Sequence, residues 1–92
     1  MAVVTVYLLE SYLGGAVEPD LVDLAEYLNK AADAFTEEGR SVRYLRSTYV
    51  PEDETCFHYV EAPTASVAER FARSAELPFD RILEARNAAV SE

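Results

Sequence analysis

The residues best suited to chemistry lie in one short stretch, Cys56-Phe57-His58, which is surrounded by β-branched and aromatic residues. His58 is the single histidine of the chain, and imidazole is the side chain whose ordinary pKa lies near neutrality. Residues two apart on a strand share a face, and the predicted hairpin places Ser47 opposite His58 and Tyr49 opposite Cys56. This pattern makes His58 the candidate catalytic acid or base. In the structural alternative, a serine hydroxyl holds a half-buried histidine and Cys56 is a small apolar side chain.

A metal site is a second interpretation of the same residues, with Cys56, His58 and the carboxylate of Glu10 as candidate ligands. One chain supplies too few of them, because zinc or nickel takes four or more. A two-fold axis at this face of the sheet would double the set. A Cys56/His58 nucleophile pair has less support, since the sequence supplies no orienting partner and no oxyanion donors.

Aromatic and arginine side chains predict a site for a planar or apolar ligand. Tyr44, Phe57 and Tyr59 are expected on one face together with Arg46, and the full predicted ligand-binding set is Tyr44, Arg46, Ser47, Tyr49, Phe57 and Tyr59. Packing at a dimer interface is the alternative, because interfaces are enriched in aromatic residues and arginine. Strand alternation also predicts that Arg43 and Arg46 point to opposite faces.

The elements that must position these residues follow from hydrophobic periodicity. Strands are predicted at residues 3–12, 41–50, 55–61 and 80–85, and Pro51-Glu52-Asp53-Glu54 forms the hairpin loop that pairs Val50 with Thr55. A first helix begins near Pro19 and ends at Gly39. A second begins at the predicted N-cap Thr64, or later with Ser66 and Glu69 at the spacing of a capping box, and stops at Leu77-Pro78. The predicted buried stripes are Leu21, Leu24, Ala25, Leu28, Ala31, Ala32 and Phe35 in the first helix, and Val67, Ala68, Phe71, Ala72 and Ala75 in the second.

This order of elements predicts a single domain over residues 1–92, an α+β fold of the ferredoxin-like βαββαβ kind. Its four-stranded antiparallel sheet carries both helices on one face and leaves the other face open. Monomers rarely expose such an apolar face. Two sheets packed face to face would cover it, which predicts a homodimer of the dimeric α+β barrel type.

Composition narrows the classes of partner. Eight basic and seventeen acidic residues give a net charge of −9, which disfavours nucleic acids and anionic membranes. One cysteine excludes an internal disulfide. Neither a signal peptide nor a membrane-spanning run is recognisable, so a cytoplasmic location is expected.

Several segments resemble a family of small, mostly uncharacterised bacterial proteins that includes an actinobacterial nickel-binding protein. They are VRYLRS at 42–47, VPEDETCF at 50–57, EAP at 61–63 and LPFDRI at 77–82. The resemblance spans most of the chain and implies a ferredoxin-like dimer. The nickel-binding member implies a metal site supported by histidines, whereas this chain has His58 alone.

Three functional hypotheses follow. The first is a non-enzymatic dimeric protein that binds a small molecule or a divalent metal ion, nickel included, at the sheet. The second is a cofactor-independent monooxygenase or isomerase of the barrel type, with His58 as acid or base and Tyr44, Tyr49 or Tyr59 orienting the substrate. The third is a structural or interaction module without a site.

Overall fold

The computed structural model describes residues 4–15 and 18–86. Four strands and two helices follow in the order β1 (Thr5–Tyr12), α1 (Leu21–Glu37), β2 (Arg43–Val50), β3 (Thr55–Ala62), α2 (Ala65–Ser74) and β4 (Arg81–Ala85). The predicted start of the first strand at residue 3 lies outside the described residues.

The four strands form one antiparallel sheet in the order β2-β3-β1-β4, with both helices packed on one face. This arrangement confirms the predicted ferredoxin-like βαββαβ fold. The apolar residues of the first strand do not alternate with polar ones, which predicts a central strand covered on both faces. β1 is central, but its burial alternates along the strand. Tyr7, Leu9 and Ser11 are buried under the helices, whereas no described element covers the opposite side of β1. The expectation that β1 is covered on both faces was therefore wrong for the described part of the single chain.

The β2–β3 hairpin has the register that its loop length predicts. Val50 pairs with Thr55, Tyr49 with Cys56 and Ser47 with His58. Pro51–Asp53 form a 3-10 turn, whose first φ angle the proline ring supplies. Glu54 then takes a left-handed φ of 50° and leads the chain into β3.

A β-bulge between Tyr44 and Arg46 interrupts the far end of this hairpin. Tyr44 pairs with Val60, while Arg46 pairs with Tyr59, so Leu45 is the extra residue on β2. A bulge of one residue inverts the alternation of side chains beyond it. The grouping of Tyr44 with the aromatic residues of the open face was thus wrong, because Tyr44 lies on the helix-covered face.

The same bulge corrects the prediction for the two arginines of β2. Arg43 pairs with Glu61 and Arg46 with Tyr59. Glu61 and Tyr59 are two residues apart on β3 and therefore share a face. Arg43 and Arg46 consequently both lie on the open face, contrary to the simple alternation expected for an unbroken strand.

Side chains cap the N-termini of both helices. The carboxylate of Asp20 accepts a hydrogen bond from the Asp23 backbone N–H at 3.1 Å, and the Thr64 hydroxyl accepts one from that of Val67 at 3.2 Å, which confirms the predicted N-cap at Thr64. At its C-terminus α2 ends in a Schellman motif, with the Leu77 N–H bonded to the Ala72 carbonyl at 2.8 Å.

The core lies between the sheet and the two helices. Leu9, Leu28, Val60 and Phe71 are fully buried in it, and the Phe35 and Phe71 rings meet edge to face at 5.8 Å. The predicted stripes of both helices, except Leu21, supply its helical side. Among the described residues, no helix is long and apolar enough to cross a membrane.

Candidate functional site

His58 lies on β3, on the helix-covered face, and only 2% of its surface is exposed. Its Nδ1 is 2.7 Å from Oγ of Ser47, directly opposite on β2 as the hairpin register requires. Ser47 Oγ is in turn 2.7 Å from the hydroxyl of Tyr44, which the bulge turns toward this face. The three side chains form one hydrogen-bonded chain, Tyr44–Ser47–His58.

Burial keeps the ionisable groups of this region uncharged at neutral pH. Desolvation lowers the pKa of His58 from 6.5 to about 4, so its imidazole is neutral. Burial also raises the pKa values of the Cys56 thiol and of the Tyr44 hydroxyl, although the Ser47 hydrogen bond opposes the rise at Tyr44. His58, Cys56 and Tyr44 therefore present neutral donors and acceptors rather than charges.

A half-open cavity of about 270 Å³ lies against His58, near the lower limit of ligand pockets at roughly 300 Å³. Its lining is mostly apolar and comes from β1, α1, β3 and the segments that precede α1 and β4. The lining residues are Ser11, Tyr12, Leu13, Pro19, Leu24, His58, Leu77, Pro78, Phe79 and Asp80.

Asp80 ties the wall of this cavity to the sheet. Its backbone N–H donates to the Glu10 carbonyl at 2.7 Å, and its carboxylate accepts from the Tyr12 N–H at 2.6 Å. Ser11, which is buried, donates its hydroxyl proton to the Pro78 carbonyl. These contacts hold the segment before β4 against the end of β1, so the cavity is built from a fixed backbone.

The structure divides the predicted ligand-binding residues between the two faces of the sheet. Tyr44 and Ser47 adjoin His58 through the hydrogen-bonded chain, and Tyr49 pairs with Cys56 on the same face. Arg46, Phe57 and Tyr59 lie on the open face, where the Arg46 guanidinium stacks 4.1 Å from the Tyr59 ring centroid.

Glu10 is separated from the other two candidate metal ligands. It pairs with Phe57 and with Arg81 on the open face, and its carboxylate accepts from Nε of Arg81 at 2.6 Å. Cys56 and His58 are buried on the helix-covered face. The sheet therefore separates Glu10 from Cys56 and His58, contrary to the expected grouping. The reason is that the even-numbered residues of β1 face away from the helices.

Comparison with known proteins places this architecture in a family. A family model described as "Nickel responsive protein SCO4226-like" matches residues 7–85. The chain belongs to the SCO4226-like family. The crystal structure of SCO4226 from Streptomyces coelicolor A3(2) superposes with a TM-score of 0.66 at 20% sequence identity, covering 91% of this chain and 99% of that one. This likeness confirms the fold, and the match to the family model confirms the resemblance drawn from sequence. No curated protein matches the chain.

The name of the SCO4226-like family raises the question of whether this chain's residues fit nickel. They do not: within residues 4–15 and 18–86, no three histidine, cysteine or acidic side chains are grouped to hold a metal ion. His58 already uses Nδ1 on Ser47, and burial favours the protonated thiol of Cys56. Sharing across a two-fold would need both groups on the open face, and they lie under the helices instead.

Sequence reasoning missed the cavity itself, and with it Ser11, Leu24, Phe79 and Asp80. One signal could have indicated them. In a βαββαβ sheet the start of β4 lies beside the end of β1, so the Leu77-Pro78-Phe79-Asp80 segment had to meet Ser11 and Tyr12. His58 is distant from that segment along the chain. It lies on β3, however, which is the other neighbour of β1 in the sheet.

Proposed function

We propose that this member of the SCO4226-like family is a homodimeric binding protein that takes a small, mostly apolar molecule in the cavity beside His58. The observation that carries the proposal is a preformed cavity of about 270 Å³ whose wall includes a buried, neutral imidazole. Apolar clefts with few polar groups are the usual form of small-molecule sites. A cytoplasmic location accompanies the proposal, because the buried free thiol of Cys56 is typical of reducing compartments.

The chemistry of His58 favours binding over catalysis. A general acid or base works best when its pKa lies near the working pH, and the pKa of His58 is lowered to about 4. At neutral pH such an imidazole lacks the acidic second proton of the imidazolium form, and it is a weak base. It remains a good hydrogen-bond partner for a bound molecule.

The open face supports the homodimeric part of the proposal. Leu8 pairs with Tyr59 on one side and with Leu83 on the other, which forms an apolar centre, and Leu83 is 38% exposed. The described strand positions around it hold three arginines and two glutamates, namely Arg43, Arg46, Arg81, Glu10 and Glu61. The face is nearly balanced in charge although the chain as a whole carries −9, so two copies would meet there with little repulsion.

The experiment for the cavity uses toluene as an apolar probe and backbone amide NMR of the full chain. Toluene is expected to shift amides of the cavity wall, around Ser11, His58 and Phe79, in a saturable way. A Leu24→Phe variant would fill the cavity and abolish those shifts. The matched control is Val22→Phe, because Val22 is 68% exposed on the same helix and should leave binding unchanged.

Three results would overturn this proposal. Toluene shifts that do not saturate, or that survive Leu24→Phe, would show that the cavity is not a binding site. Elemental analysis of protein purified without a histidine tag tests the metal hypothesis. Nickel bound at one ion or half an ion per chain, and lost in His58→Ala, would replace the small-molecule proposal with a metal-binding one.

A further inference from the structure

The wall of the cavity beside His58 has an uneven distribution of charge. Among its described residues, Asp80 alone carries a formal charge at neutral pH, and none is a lysine or an arginine. Asp80 is exposed to solvent whereas His58 is buried, so the carboxylate belongs to the outer end of the cavity and the imidazole to its inner wall. The cavity therefore combines an apolar interior with one negative group near its opening.

The carboxylate of Asp80 is held in place but is not neutralised. Its Oδ2 accepts the Tyr12 backbone N–H at 2.6 Å, and the Asp80 backbone N–H donates to the Glu10 carbonyl at 2.7 Å. In residues 4–15 and 18–86, no arginine or lysine forms a salt bridge with it. A fixed carboxylate without a positive partner favours a positively charged group beside it.

The arginines nearest to this end of the cavity are paired with other carboxylates. Arg81, the next residue along the chain, binds Glu10 on the open face at 2.6 Å. The Arg73 guanidinium lies 5.8 Å from the centroid of the Phe79 ring, and it binds Glu69 at 2.9 Å. Their positive charges are therefore balanced at these pairs, and the charge of Asp80 is left for a bound molecule.

The inner wall presents no positive charge that would repel a cation. Burial lowers the pKa of His58 to about 4, so its imidazole is neutral at pH 7. The hydroxyl of Ser11 donates to the Pro78 carbonyl and adds no charge either. The net charge of −9 on the whole chain gives a field of the same sign as Asp80, which disfavours anions.

We infer that the cavity selects compact apolar molecules that carry one protonated amine, such as single-ring arylalkylamines. The ammonium group lies beside the carboxylate of Asp80 at the exposed end, and the ring contacts Leu24, Leu77 and Phe79. This inference rests on the proposed binding function and adds the class of ligand to it.

The test compares three single-ring probes of similar size with the full chain: benzylamine, benzyl alcohol and benzoate. The amine of benzylamine is protonated at neutral pH, as that of lysine is. Titrations followed by backbone amide NMR are expected to show benzylamine binding about two- to fivefold more tightly than benzyl alcohol, the range for an exposed ion pair. Benzoate should bind more weakly than either. Added salt should reduce the affinity for benzylamine and leave that for benzyl alcohol nearly unchanged.

Asp80→Asn tests the role of the carboxylate. The amide keeps an oxygen that can accept the Tyr12 N–H and removes the charge, so the preference for benzylamine should be lost while benzyl alcohol still binds. Asp33→Asn is the matched control, because Asp33 is exposed on α1 and does not line the cavity. It changes the net charge of the chain by the same amount and should keep the preference.

The outcomes separate this inference from the proposed function. Equal affinity for benzylamine and benzyl alcohol in the wild type, or a preference that survives Asp80→Asn, would overturn the inference and leave the cavity proposal intact. Equal losses of preference in Asp80→Asn and Asp33→Asn would also overturn it, since the overall field would then be responsible. No saturable binding of any probe would overturn both.

Discussion

Ser47 Oγ lies 2.7 Å from Nδ1 of the buried His58, across the β2–β3 hairpin. The contact leaves Nε2 as the imidazole nitrogen available to the cavity. It also satisfies a polar atom that would otherwise be buried without a partner, and among the described residues no buried side-chain nitrogen or oxygen lacks one.

Removing the Ser47 hydroxyl is expected to destabilise the protein. Ser47→Ala leaves Nδ1 of His58 buried without a partner, which costs about 1–3 kcal/mol of the free energy of unfolding. Urea denaturation followed by circular dichroism measures the loss. The matched control is Thr48→Ala, one residue along on the exposed face of β2, where a change within about 0.5 kcal/mol is expected. Equal losses in the two variants would contradict a special role for the Ser47 contact.

Stability should fall in acid because of His58. Its pKa is about 4 in the folded protein and 6.5 in the unfolded chain, so the unfolded state binds more protons between these values. The His58 contribution is therefore complete above pH 6.5 and is lost as pH falls toward 4, by about 3 kcal/mol. The neighbouring side chains of Tyr44 and Cys56 stay neutral as the pH falls from 6.5 toward 4. The carboxylate that lines the same cavity as His58 is that of Asp80.

Unfolding free energies of wild type and His58→Gln, measured at intervals from pH 7 to pH 4, check this expectation. The carboxylates titrate in both proteins, so the difference between the two curves isolates the imidazole. Parallel curves would mean that His58 is protonated without penalty and is not buried as described.

Replacing Glu76 with glycine is expected to stabilise the folded protein. Glu76 follows α2 with a left-handed φ of 56°, in the Schellman position where glycine is preferred. Glu76→Gly should raise the free energy of unfolding by about 0.5–1 kcal/mol, because glycine adopts this angle without strain. Glu76→Ala is the control, since it removes the same charge but keeps the Cβ. A gain of equal size in both variants would assign the effect to charge rather than to backbone strain.

Charge at the centre of the open face should separate the proposed dimer. Leu83→Asp places a carboxylate beside Leu8 in the apolar centre, so sedimentation velocity at micromolar concentration should change from the mass of two chains to that of one. Val22→Asp alters a still more exposed apolar residue on α1 and should leave the dimer intact. A wild-type chain that sediments as a monomer would refute the dimer.

The sequence by itself determined the local parts of this protein, because they depend on nearby residues. The helical stripes follow the 3.6-residue period, Thr64 caps α2 through its own hydroxyl, and a four-residue loop sets Val50 opposite Thr55. That loop also brought Ser47 to His58, so half of the site was predictable. The order of elements was sufficient for the ferredoxin-like fold.

Tertiary structure alone decided which face each remaining residue occupies. No glycine in the sequence indicates the bulge between Tyr44 and Arg46. The bulge nevertheless turns Tyr44 toward His58 and leaves Arg46 on the open face. Glu10 was placed by its pairing with Phe57 and Arg81, which come from distant parts of the chain. The cavity needs four separate segments to meet, and periodicity within any one of them carries no information about the others.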